Sequence, residues 1–197
     1  MNIFRRFAVM AYGRGLELLL ALAIIALVGQ LSWPAVWDWW RRPAPGAIGT
    51  GRFDSHGALA ADYRVYLPGQ GDGPWPLVVF LHGSGERGEN PNDLRDWGPF
   101  PYLNRVGSFP AIAAAPQCLT TRQWEAHSVV QFVEHMSAQY DVDPKRIYLV
   151  GCSMGGYGVW RVAADHPTLF AAIAPICGGG QPEDAEALAD LPTWITS

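Results

Sequence analysis

The stretch from Ile147 to Ala164 constrains the fold of this chain more than any other. Ile147-Tyr148-Leu149-Val150 is an apolar run, Gly151-Cys152-Ser153-Met154-Gly155 follows it, and Gly156 to Ala164 has the character of a helix. The order is strand, sharp turn, helix, with a serine at the apex and glycines on both sides. Such a turn holds the serine in a strained backbone conformation that only small flanking residues permit. The strain lifts the hydroxyl clear of a sheet, where a base and a substrate carbonyl can both reach it. Ser153 is thus a candidate nucleophile; the bland alternative is a serine in an ordinary tight turn.

Further apolar runs set the class. Leu59 to Leu67 alternates around Tyr63, Val65 and Leu67, as a half-buried strand does, and Arg52-Phe53-Asp54 before it is placed to form a hairpin with it. Leu77 to Leu81, Ala111 to Ala115 and Ala171 to Ile176 are continuous runs, the pattern of strands buried on both faces. A short helix is expected near Asp93 to Trp97, a long one over Gln123 to Tyr140 and a short one over Pro182 to Leu188. In the long helix Val129, Val133, Met136 and Tyr140 share one face. Thr193 to Thr196 reads as a strand beginning. Buried strands alternating with helices predict an α/β fold, a mostly parallel sheet with helices on both faces. Ligands bind at the carboxyl ends of such strands. His82-Gly83, Pro116-Gln117-Cys118, Ser153 and Cys177-Gly178 all fall at those ends, so they are expected along one rim.

A chain of 197 residues is long enough for one domain with a sizeable core. Its net charge of −4 offers no basic patch for nucleic acid. The three cysteines, Cys118, Cys152 and Cys177, have neither the count of a disulfide framework nor the spacing of a zinc site. Cys118 and Cys177 would lie about three strands apart, roughly 14 Å, too far to bridge. Cys152 suits a small hydrophobe at a strand end.

The first forty residues hold much of the apolar excess. After a basic N-terminus (1–15, with Arg5, Arg6 and Arg14), residues 16–33 contain an unbroken apolar run from Leu18 to Val28. As a helix this segment spans about 27 Å, which just crosses a hydrocarbon core. Trp33, Trp37, Trp39 and Trp40 then suit the headgroup layer. Residues 16–33 are read as a transmembrane signal anchor with the domain outside the cytoplasm. The rivals are a cleaved signal peptide, giving a secreted protein, and a core helix. Residues 34–48 are a linker rich in proline, and 49–197 form the globular domain.

A serine hydroxyl needs a base to take its proton and donors to hold the oxyanion that forms. One donor is the backbone N–H of Met154. The other is expected from the loop His82-Gly83-Ser84-Gly85-Glu86-Arg87-Gly88: Ser84 N–H, with Gly85 as the fallback. His82 reads as a loop-ordering histidine on the oxyanion side, not a base. His127 and His135 sit on the long helix, His166 at a helix end and His56 in the first turn. None follows the serine on a later strand-end loop. Glu86 and Arg87 are expected to pair and stiffen their loop; Trp124 is divided between pocket wall and core.

These motifs resemble the α/β-hydrolase superfamily, and within it the esterase branch that includes phospholipase/carboxylesterase and dienelactone-hydrolase-like proteins. The resemblance is carried by Leu81 to Gly88, Ala115-Pro116-Gln117-Cys118, Asp143 to Tyr148, Gly151 to Gly158 and Ala174 to Gly179. It covers roughly Arg52 to Thr196. It implies a serine hydrolase that cleaves carboxylic esters through an acyl-enzyme on Ser153, with Met154 and Ser84 as oxyanion donors. It implies Gly83, Gly85, Gln117, Trp124 and Cys177 near the substrate, and no cofactor or metal. In that superfamily the chain order is serine, acid, histidine. Here the acid and histidine positions fall past Ser197; Asp184 and Asp190 precede the strand after which the acid should come. The expectation is a family member cut short at its C-terminus. Its rivals are a catalytically incomplete remnant and a fragment completed by another chain.

Overall fold

The computed structural model describes residues 43–54 and 57–197. The expected membrane segment at 16–33 and His56 lie outside these residues. Among the described residues no helix is long and apolar enough to cross a membrane. The described residues belong to one compact unit, which carries the sheet.

Among the described residues six strands form one sheet. They are β1 (Ile48–Arg52), β2 (Leu59–Tyr66), β3 (Trp75–Leu81), β4 (Ile112–Cys118), β5 (Val142–Cys152) and β6 (Ala172–Ile176), in spatial order β1-β2-β4-β3-β5-β6. β4, β3, β5 and β6 run parallel, whereas β1-β2 and β2-β4 are antiparallel. The sheet is therefore mixed, with its parallel part around the serine turn. The expected hairpin forms, but its first strand lies at Ile48–Arg52, ahead of Phe53 and Asp54. Residues 193 and 196 make isolated parallel bridges to Ile173 and Ile176, a seventh strand only beginning.

Period-two alternation divides the strand side chains between two cores. Leu77, Val79, Leu81 and Leu149 meet α2 (Ala126–Gln139) and α3 (Met154–Asp165) through Phe132, Met136, Val159 and Val162. On the opposite face Tyr66, Phe80, Ala113 and Ala115 pack with Leu94 and with Phe100 and Leu103 of α1 (Phe100–Val106). β4, central in the sheet, is buried at all seven positions. Toward β6 the second face opens: Tyr148, Val150, Cys152, Ala172, Ala174 and Ile176 are each half-buried. Trp194 and Ile195 beyond them are 76% and 64% exposed.

Three expected helices moved. In place of a helix at Asp93–Trp97 there is a 3-10 turn over Pro91–Leu94, begun by the Asn90 side chain capping the Asn92 N–H, and then α1. α2 starts at Ala126, not Gln123. Glu125 is still extended, and the lead-in carries Trp124 inward to donate from Nε1 to the His82 carbonyl. The expected helix at Pro182–Leu188 shrinks to a 3-10 turn over Pro182–Asp184.

Candidate active site

The parallel register brings the ends of β3, β4, β5 and β6 to one rim. Leu81 pairs with Gly151, and Cys152 with Ile176. Ser153 follows at φ 53°, ψ −115°, a combination rare for a residue with a side chain. Its N–H donates to the Ile176 carbonyl (2.8 Å), and its carbonyl accepts from the Tyr157 N–H (3.1 Å), closing the first turn of α3. The residue is exposed.

The close packing behind this turn demands glycine. A Cβ on Gly155 would collide with the Leu81 carbonyl oxygen and stand 2.9 Å from that of His82. A Cβ on Gly156 would stand 2.6 Å from the Ile176 carbonyl oxygen. α3 thus begins in contact with the ends of both flanking strands. Its first amide, Met154 N–H, falls in the turn whose amides have no intrahelical acceptor.

The loop after β3 faces the serine. A methyl placed on Gly83 would stand 3.8 Å from Ser153 Cβ. Ser84 and Gly85 are exposed and, with Glu86, form one 3-10 turn. Buried polar contacts hold this loop from below. His82, fully buried, donates from Nδ1 to the Gly83 carbonyl (2.6 Å) and accepts at Nε2 from the Cys118 N–H (2.9 Å). The second bond fixes the tautomer, because an amide can only donate. Burial lowers the imidazole pKa to about 4, outweighing the Gly83 bond that favours the charged form; the nearby Arg87 lowers it further. A ring with both nitrogens engaged orders the loop and is no base.

Gln117 is likewise fully buried, and its Nε2 donates to the Glu86 carbonyl (2.8 Å). It holds the loop from inside. Arg87 does not pair with Glu86. Its guanidinium goes to the carbonyls of Ser84 (3.0 Å) and Arg122 (3.3 Å). Two backbone acceptors on different loops satisfy its fork better than one adjacent carboxylate. Trp124 is buried edge-on to His82 (4.8 Å between centroids) and also walls a cleft, so it is core and lining at once.

That cleft, about 580 Å³, runs along α3 from Met154 past Tyr157 and Trp160, with Gln181 and Asp184 opposite. Tyr157, 60% exposed on its rim, was not anticipated; its place four residues after Ser153, on the same helix face, was the available signal. Cys177 is exposed at φ 52°, a second strained residue beside the first. Cys152 is half-buried, and its thiol pKa is raised by burial first, then by Cys177 and Glu86. Cys118 is buried, and its thiol is pushed up to about 11, mainly by that burial. β3 and β5 separate it from Cys177, as expected.

The remaining histidines lie elsewhere. His127 lines the cleft, His135 reaches from α2 to the Tyr63 hydroxyl on β2, and His166 caps the far end of α3. Among the described residues no histidine or carboxylate hydrogen-bonds to the Ser153 hydroxyl, and no cluster of His, Cys, Asp and Glu is arranged to hold a metal.

Similarity to known proteins follows this geometry. The prolyl oligopeptidase family matches residues 119–181. NocK of Nocardia uniformis subsp. tsuyamanensis, provisionally named an esterase, is 30% identical over 151 residues, covering 70% of this chain and 44% of NocK. Poly(3-hydroxyalkanoate) depolymerase C of Paucimonas lemoignei is 42% identical over 64 residues, 32% of this chain and 16% of that enzyme. The crystal structure of a thermostable esterase superposes with a TM-score of 0.55 at 31% identity, covering 68% of this chain and 41% of its own. The chain spans less than half the length of the curated relatives it matches. A strained serine between a parallel strand and a helix, together with these similarities, supports an α/β-hydrolase esterase family for this chain.

Proposed function

We propose that this domain hydrolyses carboxylic esters through an acyl-enzyme on Ser153. One observation carries the proposal: Ser153 stands at φ 53°, ψ −115° at the start of α3, exposed and opposite the Gly83 loop. The Met154 N–H and the Ser84 N–H are the proposed oxyanion donors, with Gly85 as alternative. The attacking Ser153 oxygen turns the ester carbonyl oxygen into an oxyanion between those two amides. Loss of the alcohol leaves the acyl group on Ser153, and water releases it. The names of the relatives, two of them esterases, favour an ester over a peptide bond.

The serine still needs a base. A second reading, favoured by the absence of any histidine bonded to Ser153 among the described residues, is a site incomplete by itself or completed by another chain. The half-buried row on β5 and β6 and the exposed Trp194 and Ile195 support such a partner at that edge. Labelling with a fluorophosphonate decides between them. Labelling of the chain alone, lost in Ser153→Ala, is expected for the first. Folded protein that resists the probe contradicts it.

The apolar run at 16–33 and the tryptophans after it support a membrane tether with the domain outside the cytoplasm. Cell fractionation tests this, and a soluble mature form beginning after Trp40 refutes it.

A further inference from the structure

The loop that faces Ser153 carries a carboxylate that pairs with no cation among the described residues. Glu86 closes the 3-10 turn after β3 and is half-buried. Its backbone is pinned, the carbonyl by Gln117 and the following segment by a Gly88 N–H to Cys118 carbonyl bond of 2.9 Å. Its carboxylate is not: among the described residues it makes no ion pair and no side-chain hydrogen bond. Arg87, the nearest cation in sequence, is committed to two carbonyls.

The carboxylate also lies close to the serine. A methyl on Gly83 would stand 3.0 Å from Glu86 Oε2 and 3.8 Å from Ser153 Cβ. Those two separations bound the carboxylate oxygen to within about 7 Å of Ser153 Cβ, a range at which a unit charge is felt through interfacial water. Its field reaches the neighbouring Cys152 thiol as well. No hydrogen bond joins it to the Ser153 hydroxyl, so it is not placed as the base. An unpaired negative charge beside a forming oxyanion opposes the reaction of a neutral or anionic substrate. It favours a substrate that brings its own positive charge.

We propose that Glu86 selects substrate by charge, holding the ammonium group of a cationic ester and disfavouring esters that carry a carboxylate. The ester part of this statement rests on the function proposed for Ser153; the charge preference does not.

Two measurements keep these apart. The first needs no turnover. Cys177 is exposed beside the site, so the full chain is treated at low salt with a trimethylammonium-ethyl or a sulfonatoethyl methanethiosulfonate, and modification of Cys177 is followed by peptide mass. Taking the ratio of the two rates cancels the thiol's own reactivity. The cationic-to-anionic ratio should fall several-fold in Glu86→Gln, as expected when a unit charge on the same rim no longer separates +1 from −1 reagents. Glu86→Asp should retain most of the preference, and 1 M salt should abolish it. An unchanged ratio in a folded Glu86→Gln chain overturns the proposal. The second compares kcat/KM for phenyl esters bearing a trimethylammonium, no charge or a carboxylate, and a similar collapse of the order in Glu86→Gln is expected. A chain that cleaves none of the three yet keeps the Glu86-dependent thiol ratio supports the charge preference and overturns the esterase assignment.

Discussion

The contact between α3 and β3 makes Gly155→Ala the sharpest test of the site. The added methyl would collide with the Leu81 carbonyl oxygen, stand 2.5 Å from the Leu81 carbonyl carbon and 2.9 Å from the His82 carbonyl oxygen. All three are backbone atoms of a strand end, and no rotamer relieves them. Restoring ordinary contact with the carbonyl oxygen, near 3.5 Å, requires the start of α3 to withdraw by about 1.5 Å. Overpacking of this kind costs typically 1–3 kcal/mol, and a backbone clash belongs at the upper end. With a urea m-value of about 2 kcal/mol/M, a loss of ~3 kcal/mol lowers the unfolding midpoint by ~1.5 M. The same withdrawal carries the Met154 N–H away from the Gly83 loop, and a misplacement of ~1 Å can cost about 100-fold in rate. Gly85→Ala is the control, since a Cβ there meets nothing within 4 Å. Urea unfolding by tryptophan fluorescence and the rate of fluorophosphonate labelling read the two effects. If Gly155→Ala unfolds at the same urea concentration as the parent, the packing argument fails. A labelling rate that survives a large midpoint shift would instead disconnect the helix start from the chemistry.

Other expectations follow from the same contacts. Ser153→Gly should abolish labelling while raising stability by about 1 kcal/mol, because φ 53°, ψ −115° is strained for serine and relaxed for glycine; a less stable variant contradicts the strain. His82 is held neutral, with its folded pKa near 4 below the ordinary 6.5, so its contribution is complete above pH 6.5 and is lost as pH falls toward 4. That loss is roughly 3 kcal/mol at most, and His82→Asn should flatten this part of the stability–pH curve. Cys177 should react with a thiol reagent in the native protein at pH 8, and buried Cys118 only after unfolding; equal native rates would place Cys118 at the surface.

Much of the sheet was legible because its strands are written as apolar runs between glycine and proline. Leu77–Leu81 and Ile147–Val150 lie wholly in strands, Ala111–Ala115 and Ala171–Ile176 do so from their second residues on, and the gap of three strands between Cys118 and Cys177 followed from their order. Helix boundaries were less legible. Trp124 reads as helical by composition, yet its bond to the His82 carbonyl holds it in the extended segment before α2. Glu86 and Arg87 invited a pair by adjacency, but the guanidinium found better acceptors at Ser84 and, 35 residues away in sequence, at Arg122.

From its sequence alone this chain was bound to put a serine at a tight strand-to-helix turn, because local sterics leave Gly-Cys-Ser-Met-Gly few other conformations between an apolar run and a helix. Which groups surround that serine was a tertiary matter. Gln117 is buried beneath the Gly83 loop, His82 spans the ends of β3 and β4, and the Glu86 carboxylate, without an ion pair among the described residues, stands near Ser153. These contacts join residues tens of positions apart, and they arise only when parallel pairing brings four strand ends to one rim. No local propensity encodes that distance.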